Sequence, residues 1–432
     1  MAAFSIALSG LTSASADLDV TSNNISNADT IGFKESRAEF ADVFASGAAD
    51  LNTSVIGEGV RLASTAQQFT QGNVATSSSN LDLAISGDGF FTLKDANGTV
   101  YSRNGQFTQD SSGNVVSITG QALQVYPPLT APAVGFNTGT FTDLNLQTAQ
   151  SAPLATNAGT VILNLPAGAA PPVAGHTTFS PTDSSSYTQS TSTTVYDSLG
   201  TAHPATLYFT ATATPNVWNV NMTVSSTVGT GANAVTTVLN ATPTTPAPVT
   251  LSFDQSGGSA TSNVPAPEAV GHIPFSFTAP GAATVNMDFD FSKTTQYGAA
   301  FGVTAITQNG YATGQLSTVA IDSAGIVSAV YTNGRSTQLG QLAMANFPNP
   351  QGLKELGNTN YSETFSSGDV VQGTAASASF GSIQSGALES SNVDLTTDLV
   401  NMITAQRAFD SNAQVITTAN QESQTIIRVT GG

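Results

Sequence analysis

Large apolar residues recur every seven positions near both ends of the chain. A seven-residue repeat is typical of helices that pack against one another along a continuous seam. The pattern predicts one helix at each end, with the two termini together and the rest of the chain looped out between them. The predicted seam residues are Phe4, Leu8, Leu11, Leu18 and Ile25 at the N-terminal end, and Leu388, Leu395, Leu399, Met402, Phe409, Ile416 and Ile427 at the C-terminal end.

Between these ends the pattern changes to short alternations of apolar and polar residues. Leu81, Leu83 and Ile85 alternate with polar residues, and Asn333-Gly334 is a two-residue hairpin signal. Such runs, separated by Gly, Asn and Asp turns, are typical of all-β domains. The predicted fold class is therefore mainly β with terminal α-helices, in a nested multidomain chain whose two β domains are looped out between helices that form a coiled coil.

The predicted domains are nested along the chain. Each one except the outer domain consists of two segments, one before and one after the domains nested within it. They are a terminal helical coiled-coil domain (1–30 and 388–432), a linker region (31–70 and 366–387), an inner β domain (71–145 and 308–365) and an outer β domain (146–307). The outer segment is rich in Ser, Thr, Pro and Ala, a composition that also fits disorder. Its strand-like runs that carry aromatic residues, such as 205–209, favour a folded sandwich or barrel.

Charge and composition exclude some partners and some kinds of site. Only 9% of the residues are charged, against about 25% in typical domains, and the formal net charge is -18. No Lys or Arg stands between Arg103 and Lys293, so nucleic acid is not expected as a partner. The chain has no Cys, which excludes disulfides and thiolate metal sites.

The sequence predicts neither a cleavable signal peptide nor a membrane-spanning segment. The first basic residue is Lys34, so the charged region of a cleavable signal peptide is absent, and no run of about 18 apolar residues predicts membrane insertion. We therefore expect a protein that either stays in the cytoplasm or leaves by a route that does not read such a signal.

Few residues suggest catalytic or metal chemistry. His176, His203 and His272 are not spaced as metal ligands usually are. Asp288 and Asp290 fall on one side of a predicted strand, where paired carboxylates can do acid–base work or hold a hard cation, although two solvated surface carboxylates are the simpler interpretation. No catalytic constellation appears, so we expect no enzyme, no cofactor and no metal.

Two interpretations of the terminal helices remain open. They could form an ordinary helical hairpin within one molecule, or they could pack into an assembly of many copies. The faces beside the apolar rows carry small and polar residues such as Ser9, Ser13, Ala405 and Ala408, and not the Lys and Glu pairs of a solvated helix. Small residues let helices approach on several sides, which favours the assembly.

Several motifs resemble those of bacterial flagellar rod and hook proteins. They are Asn23-Asn-Ile-Ser-Asn27, Thr30-Ile-Gly-Phe-Lys34, Leu81-Asp-Leu-Ala-Ile-Ser-Gly-Asp-Gly-Phe-Phe91, Tyr101-Ser-Arg-Asn-Gly-Gln-Phe107 and Ala405-Gln-Arg-Ala-Phe-Asp-Ser-Asn-Ala-Gln414. Within this axial family, the segments Tyr196-Asp-Ser-Leu-Gly200 and Leu339-Gly-Gln-Leu-Ala-Met-Ala-Asn-Phe347 resemble hook subunits most.

The resemblance implies a structural role in motility. Hook subunits are exported by the flagellar type III apparatus without a cleaved signal peptide and polymerise outside the cell, beneath a cap, into a curved tube. Their terminal helices line the tube, which acts as a universal joint that transmits motor torque to the filament. The implied partners are copies of the chain itself, the hook cap, the distal rod, the hook–filament junction proteins and the export apparatus. The alternatives are another axial protein, of the distal rod or the hook–filament junction, or a secreted β-rich adhesin.

Overall fold

The chain folds into two compact units. The computed structural model describes residues 2–43, 57–129, 133–147, 150–228, 235–243, 248–258, 260–264, 269–377 and 379–430. One unit, here the helix-bearing unit, consists of Met1–Thr148, Ser317–Val330 and Ser336–Gly432. The other, the inserted unit, consists of Ala149–Leu316 and Tyr331–Arg335. The predicted class, mainly β with a helix near each end, is confirmed.

The N-terminal part is a helix followed by a β-ribbon. Helix α1 (Ala2–Ser26) ends where Asn27 donates its backbone N–H to the carbonyl of Asn23, at 3.1 Å. Strands β1 (Ser36–Val43) and β2 (Gly59–Gln67) then pair antiparallel. The ribbon lies against α1, where the backbone N–H of Val60 donates to the Ser9 hydroxyl at 3.2 Å.

Eight short strands follow before the inserted unit, at the spacing that the alternation predicts. They are β3 (Val74–Thr76), β4 (Leu83–Ser86), β5 (Phe90–Asp95), β6 (Gly98–Ser102), β7 (Phe107–Gln109), β8 (Val115–Ser117), β9 (Ala122–Tyr126) and β10 (Thr142–Asp143).

The inserted unit is all β. Its strands are β11 (Ala158–Pro166), β12 (Gln189–Tyr196), β13 (Ala202–Ala211), β14 (Val217–Val228), β15 (Val235–Pro243), β16 (Val249–Ser252), β17 (Thr261–Ser262), β18 (His272–Phe277), β19 (Val285–Asp290), β20 (Thr295–Tyr297) and β21 (Gly302–Gln308). They form one sheet in the order β12-β13-β14-β15-β18-β19-β11-β20, with β16 and β21 beside β14 and β11. Inward-facing residues of alternating strands, among them Phe209, Trp218 and Phe289, fill its core.

The chain then returns to the helix-bearing unit. The returning strands are β22 (Leu316–Ile321), β23 (Ile326–Tyr331), β24 (Ser336–Asn346), β25 (Lys354–Gly357), β26 (Asn360–Ser362), β27 (Val371–Thr374), β28 (Ser382–Ser385) and β29 (Ala387–Glu389). Strands β22 to β26 complete a sheet in the order β22-β23-β24-β9-β5-β6-β26-β25, β27 pairs with β24, and β28 and β29 pair separately with β4 and β3. Its core contains Leu83, Phe91, Leu123 and Leu342. The strands before and after the insertion thus share one core.

Helix α2 (Leu395–Thr430) is the longest element, with 36 residues. It begins after Asp394, whose carboxylate accepts the backbone N–H groups of Thr396 at 2.9 Å and Thr397 at 3.3 Å. These hydrogen bonds hold the pKa of Asp394 below its usual range. Helices α1 and α2 pack against each other, so the prediction that the two ends come together is confirmed.

The structure differs from the predicted domain boundaries in three places. Residues 308–316 lie with the inserted unit, because the chain after β21, itself paired with β11, bridges Leu154 through Tyr311 and Ser151 through Gly314. The expected linker 31–70 contains the β1–β2 ribbon, and its residues 44–56 lie outside the described part of the chain. The expected linker 366–387 contributes β27 and β28 to the helix-bearing unit, since both find antiparallel partners there.

Candidate functional site

The two terminal helices meet through small and polar residues. On α2, Asp398 and Ala405 are buried, and on α1 the buried residues are Ala7, Ser13, Ala14, Thr21 and Asn24. A Cβ atom placed on Gly10 would lie 2.8 Å from the side chain of Asn412, so the backbones approach closely there. The shared face therefore has a seven-residue period, but it is filled by small side chains.

This face is displaced from the predicted apolar rows. The buried positions 7, 14 and 21 stand three residues after 4, 11 and 18, and 398 and 405 stand three residues after 395 and 402. Three residues correspond to a rotation of about 60° around an α-helix. The period correctly identifies the helices, but the large residues lie beside the contact between them.

The predicted seam residues on the helices remain at least partly open to solvent. We call them the open apolar rows. Phe4, Leu8, Leu395 and Leu399 are exposed, Leu399 to 49%, whereas Leu11, Leu18, Ile25, Met402, Phe409 and Ile416 are partly buried. Exposed apolar rows of this kind are a candidate surface for contact with another molecule.

Of the other two predicted seam residues, one lies in a strand and one has a side chain that the structure does not describe. The assignment of Leu388 to the C-terminal helix is wrong, because Leu388 lies in β29 and pairs with Ala75 of β3. The helix begins seven residues later, where Asp394 caps it. The side chain of Ile427 is outside the described part of the chain, so its place in the seam stays a prediction.

A buried ionic cluster, which we call the ionic junction, lies where the chain passes between helices and sheet. Lys34 Nζ is 2.6 Å from Glu389 Oε1, and Arg103 Nη1 is 3.3 Å from Glu389 Oε2. Lys34 also donates to the carbonyl of Thr70 at 2.8 Å, and the backbone N–H of Gly72 donates to Glu389 Oε1 at 2.9 Å. Four distant segments of the chain thus meet on one carboxylate.

The charges of the ionic junction are removed from water. The side chains of Lys34 and Glu389 are fully buried, and that of Arg103 is 4% exposed. Burial lowers the pKa of Lys34 and of Arg103, and the negative charge of Glu389 acts in the opposite direction. Removing one partner of such a cluster leaves a buried charge unpaired, so we expect the junction to hold the ends of the chain firmly to the sheet.

A second set of contacts joins the same segments without charge. The Asn392 side chain accepts the backbone N–H of Glu35 at 2.7 Å and donates to the carbonyl of Gln68 at 2.8 Å. A Cβ atom on Gly72 would lie 2.0 Å from the carbonyl oxygen of Ser390, so only glycine fits. The segment that leads into α2 is therefore fixed to the irregular segment that follows β2.

Sequence reasoning missed the ionic junction. Lys34 and Glu389 are 355 positions apart, and no local pattern relates residues at that separation. One signal was present: Lys34 and Arg103 are two of only ten basic residues, and both stand within motifs that carry the family resemblance.

The histidines form separate pairs with aspartates. His176 Nδ1 is 2.6 Å from Asp183, His203 Nε2 is 3.0 Å from Asp197, and His272 Nδ1 is 2.6 Å from Asp288. Asp290 lies 3.8 Å from the other ring nitrogen of His272, so the two strand aspartates share one histidine. Within the described residues, no group of three or more His, Asp or Glu side chains is arranged to hold a metal ion.

Models of four protein families match consecutive parts of the chain. Residues 4–34 match "Flagella basal body rod protein", and residues 84–162 match "Flagellar hook protein FlgE/F/G D1 domain". Residues 164–311 match "Flagellar basal body protein FlaE D2 domain", and residues 384–429 match "Flagellar basal body rod FlgEFG protein C-terminal".

Relatives that match over the whole chain show which of these families it belongs to. The flagellar hook protein FlgE of Escherichia coli K12 is 38% identical over 432 residues, which cover 99% of this chain and 100% of the relative. The chain belongs to the flagellar hook protein family. The hook proteins of Salmonella typhimurium, 38% identical with 99% of both chains covered, and of Borreliella burgdorferi, 31% identical with 98% of both covered, agree.

A solved structure of a hook protein has a similar fold. The crystal structure of the Helicobacter pylori flagellar hook protein FlgE2 superposes with a TM-score of 0.50 at 12% identity, over 73% of this chain and all of that chain. As a member of the hook protein family, the chain is a structural protein of the flagellar hook and not an enzyme. No helix in the described part of the chain is both long enough and apolar enough to cross a membrane.

Proposed function

We propose that the chain polymerises through its open apolar rows into the tube of the hook. The observation that carries this proposal is that the large apolar side chains of α1 and α2 stay open while small residues fill the contact between the helices. Covering a large apolar side chain completely stabilises an assembly by roughly 1.5–3 kcal/mol. In the tube, the rows of one copy lie against the helices of its neighbours and form the coiled-coil core.

The nested order of the segments supports a layered subunit. In this proposal α1 and α2 form the polymerising core, the strands of the helix-bearing unit form an inner β layer, and the inserted unit, which includes residues 308–316, forms an outer one. A joint that bends while it transmits torque needs a core that stays bonded and outer layers that slide. A chain with 9% charged residues has few ion pairs to break as it slides.

The partners and the route of export follow from the same proposal. The tube begins on the distal rod, grows beneath the hook cap and ends at the hook–filament junction proteins, all outside the cell. Subunits reach it through the flagellar type III export apparatus without a cleaved signal peptide. The absence of cysteine supports this route, because a chain without disulfides can pass through a narrow channel unfolded.

Electron microscopy of the concentrated purified protein tests the proposed function. We expect tubes of uniform diameter, many of them curved, to appear above a critical concentration. Dispersed particles at all concentrations would contradict polymerisation through the open apolar rows. Straight tubes without curvature would contradict the proposed role as a flexible joint.

A further inference from the structure

A cavity opens between α1, α2 and β1 in the helix-bearing unit. Its volume is about 300 Å³. Its charged lining residues are Asp17, Glu35, Arg37 and Asp398. Asp17 and Glu35 are partly exposed, whereas Asp398 is 3% exposed. The cavity therefore runs from an accessible acidic mouth to a buried carboxylate.

The negative charge of the cavity is only partly compensated within the molecule, by Arg37 near Glu35 and by a hydrogen bond from Asn401 to Asp398 Oδ1 at 3.5 Å. Burial raises the pKa of Asp17, Glu35 and Asp398 above the usual range of a carboxyl group. Arg37 is occupied by Glu39, whose Oε1 lies 2.6 Å from Arg37 Nη2. Asp398 Oδ2 is buried and accepts no hydrogen bond within the described chain. An orphaned buried acceptor of this kind calls for a donor from outside the molecule.

The geometry favours an organic cation over a metal ion. No set of three acidic or histidine side chains among the described residues is close enough to coordinate a metal. A guanidinium carries five donors in a planar fork and can reach carboxylates that are too far apart to share an ion. An arginine side chain thus matches the lining of the cavity.

One residue of the chain has the chemistry and the position to fill it. On α1 and α2, Arg407 is the only basic residue whose side chain the structure describes; it is exposed and has no partner among the described residues. It follows Asp398 by nine residues, which is a rotation of about 180° at 100° per residue. Arg407 therefore faces away from the cavity of its own molecule.

We propose that Arg407 of one copy enters the cavity lined by Asp17, Glu35 and Asp398 of a neighbouring copy. The inference rests on the proposed function and adds a specific charged contact to the apolar rows. Arg407 and the cavity lie on opposite sides of α2. Each copy can therefore insert its Arg407 into one neighbour while its own cavity receives Arg407 from another. Contacts of this head-to-tail kind generate open helical arrays, as a tube requires.

A double-mutant cycle on assembly tests the contact. Arg407→Gln and Asp398→Asn each remove one charge and keep the side chain close to its original size. We expect each variant to raise the critical concentration for tube formation at least about tenfold, since each leaves a charged group unpaired at the contact. The double variant is expected to resemble either single variant, because the partners act as one unit.

Controls distinguish this contact from a general effect of charge, from a loss of stability and from a bound metal ion. Lys354→Gln removes one exposed positive charge from β25 and should leave the critical concentration unchanged. If Asp398→Asn lowers the melting temperature of the monomer, Asp17→Asn replaces it in the cycle. Wild-type assembly is also measured with added MgCl₂ and with EDTA, and we expect no difference.

Five outcomes decide the inference. Non-additive effects of the two substitutions support the contact between Arg407 and the cavity. Tubes that form normally from Arg407→Gln, or effects that simply multiply in the double variant, overturn it and leave the proposed function intact. Assembly that is lost in EDTA indicates a metal ion in the cavity and also overturns it. A wild-type protein that forms no tubes contradicts the proposed function itself.

Discussion

Glu389→Gln is expected to lower the free energy of unfolding of the helix-bearing unit by about 3–5 kcal/mol. Glu389 is fully buried between Lys34 and Arg103, at 2.6 and 3.3 Å. Glutamine has nearly the same shape but no charge, so two buried cations lose the anion that compensates them. The loss exceeds that of an exposed ion pair, which contributes roughly 0–1 kcal/mol.

The two units give separate optical signals for this measurement. The chain has one tryptophan, Trp218, and it is buried in the inserted unit, whereas both helices belong to the other unit. In urea, the loss of helical circular dichroism should move to lower concentration in Glu389→Gln, while the fluorescence transition of Trp218 stays in place. Glu355→Gln, at an exposed site in β25, serves as the control. An unchanged helical transition would show that the junction is not holding the ends.

Phe409→Asp and Leu399→Asp are expected to abolish tube formation. Both side chains belong to the open apolar rows, and assembly would bury the new carboxylate against apolar neighbours without a partner. Such burial costs more than the lost apolar contact contributes. Because neither residue lies in the ionic junction or in a β core, the fluorescence transition of Trp218 should not change.

A charge elsewhere on the same helix provides the comparison. Thr418 is exposed on α2, lies outside the open apolar rows and stands eleven residues after Arg407, so Thr418→Asp adds the same carboxylate without entering a row or pairing with Arg407. We expect this variant to form tubes. Normal tubes from Leu399→Asp or Phe409→Asp would refute the assignment of the rows to the contact between copies.

The periodicity of the sequence identifies elements better than it identifies contacts. The seven-residue repeat places the N-terminal helix correctly, and the alternating runs place the β strands of both units. A repeat shows which residues share a face, but it does not show which face the fold covers. Here Ala7, Ala14 and Thr21 have the same period as Phe4, Leu11 and Leu18, and the fold buries the small residues.

The other differences between the predicted and the observed structure also arise from tertiary contacts. Leu388 fits the repeat by spacing alone, yet pairing with β3 makes it part of a strand. The boundary near residue 308 depends on bridges from Tyr311 and Gly314 back to the start of the inserted unit. The ionic junction joins residues that are hundreds of positions apart. None of these contacts leaves a local signature in the chain.

Thiol labelling shows whether neighbouring copies cover the open apolar rows in the tube. The chain has no cysteine, so Leu399→Cys introduces a single thiol, and Ala405→Cys places one in the buried contact between the helices. We predict that Leu399→Cys reacts rapidly in dispersed protein and at least about tenfold more slowly in tubes, whereas Ala405→Cys reacts slowly in both states. Equal labelling of Leu399→Cys in tubes and in dispersed protein would contradict the account.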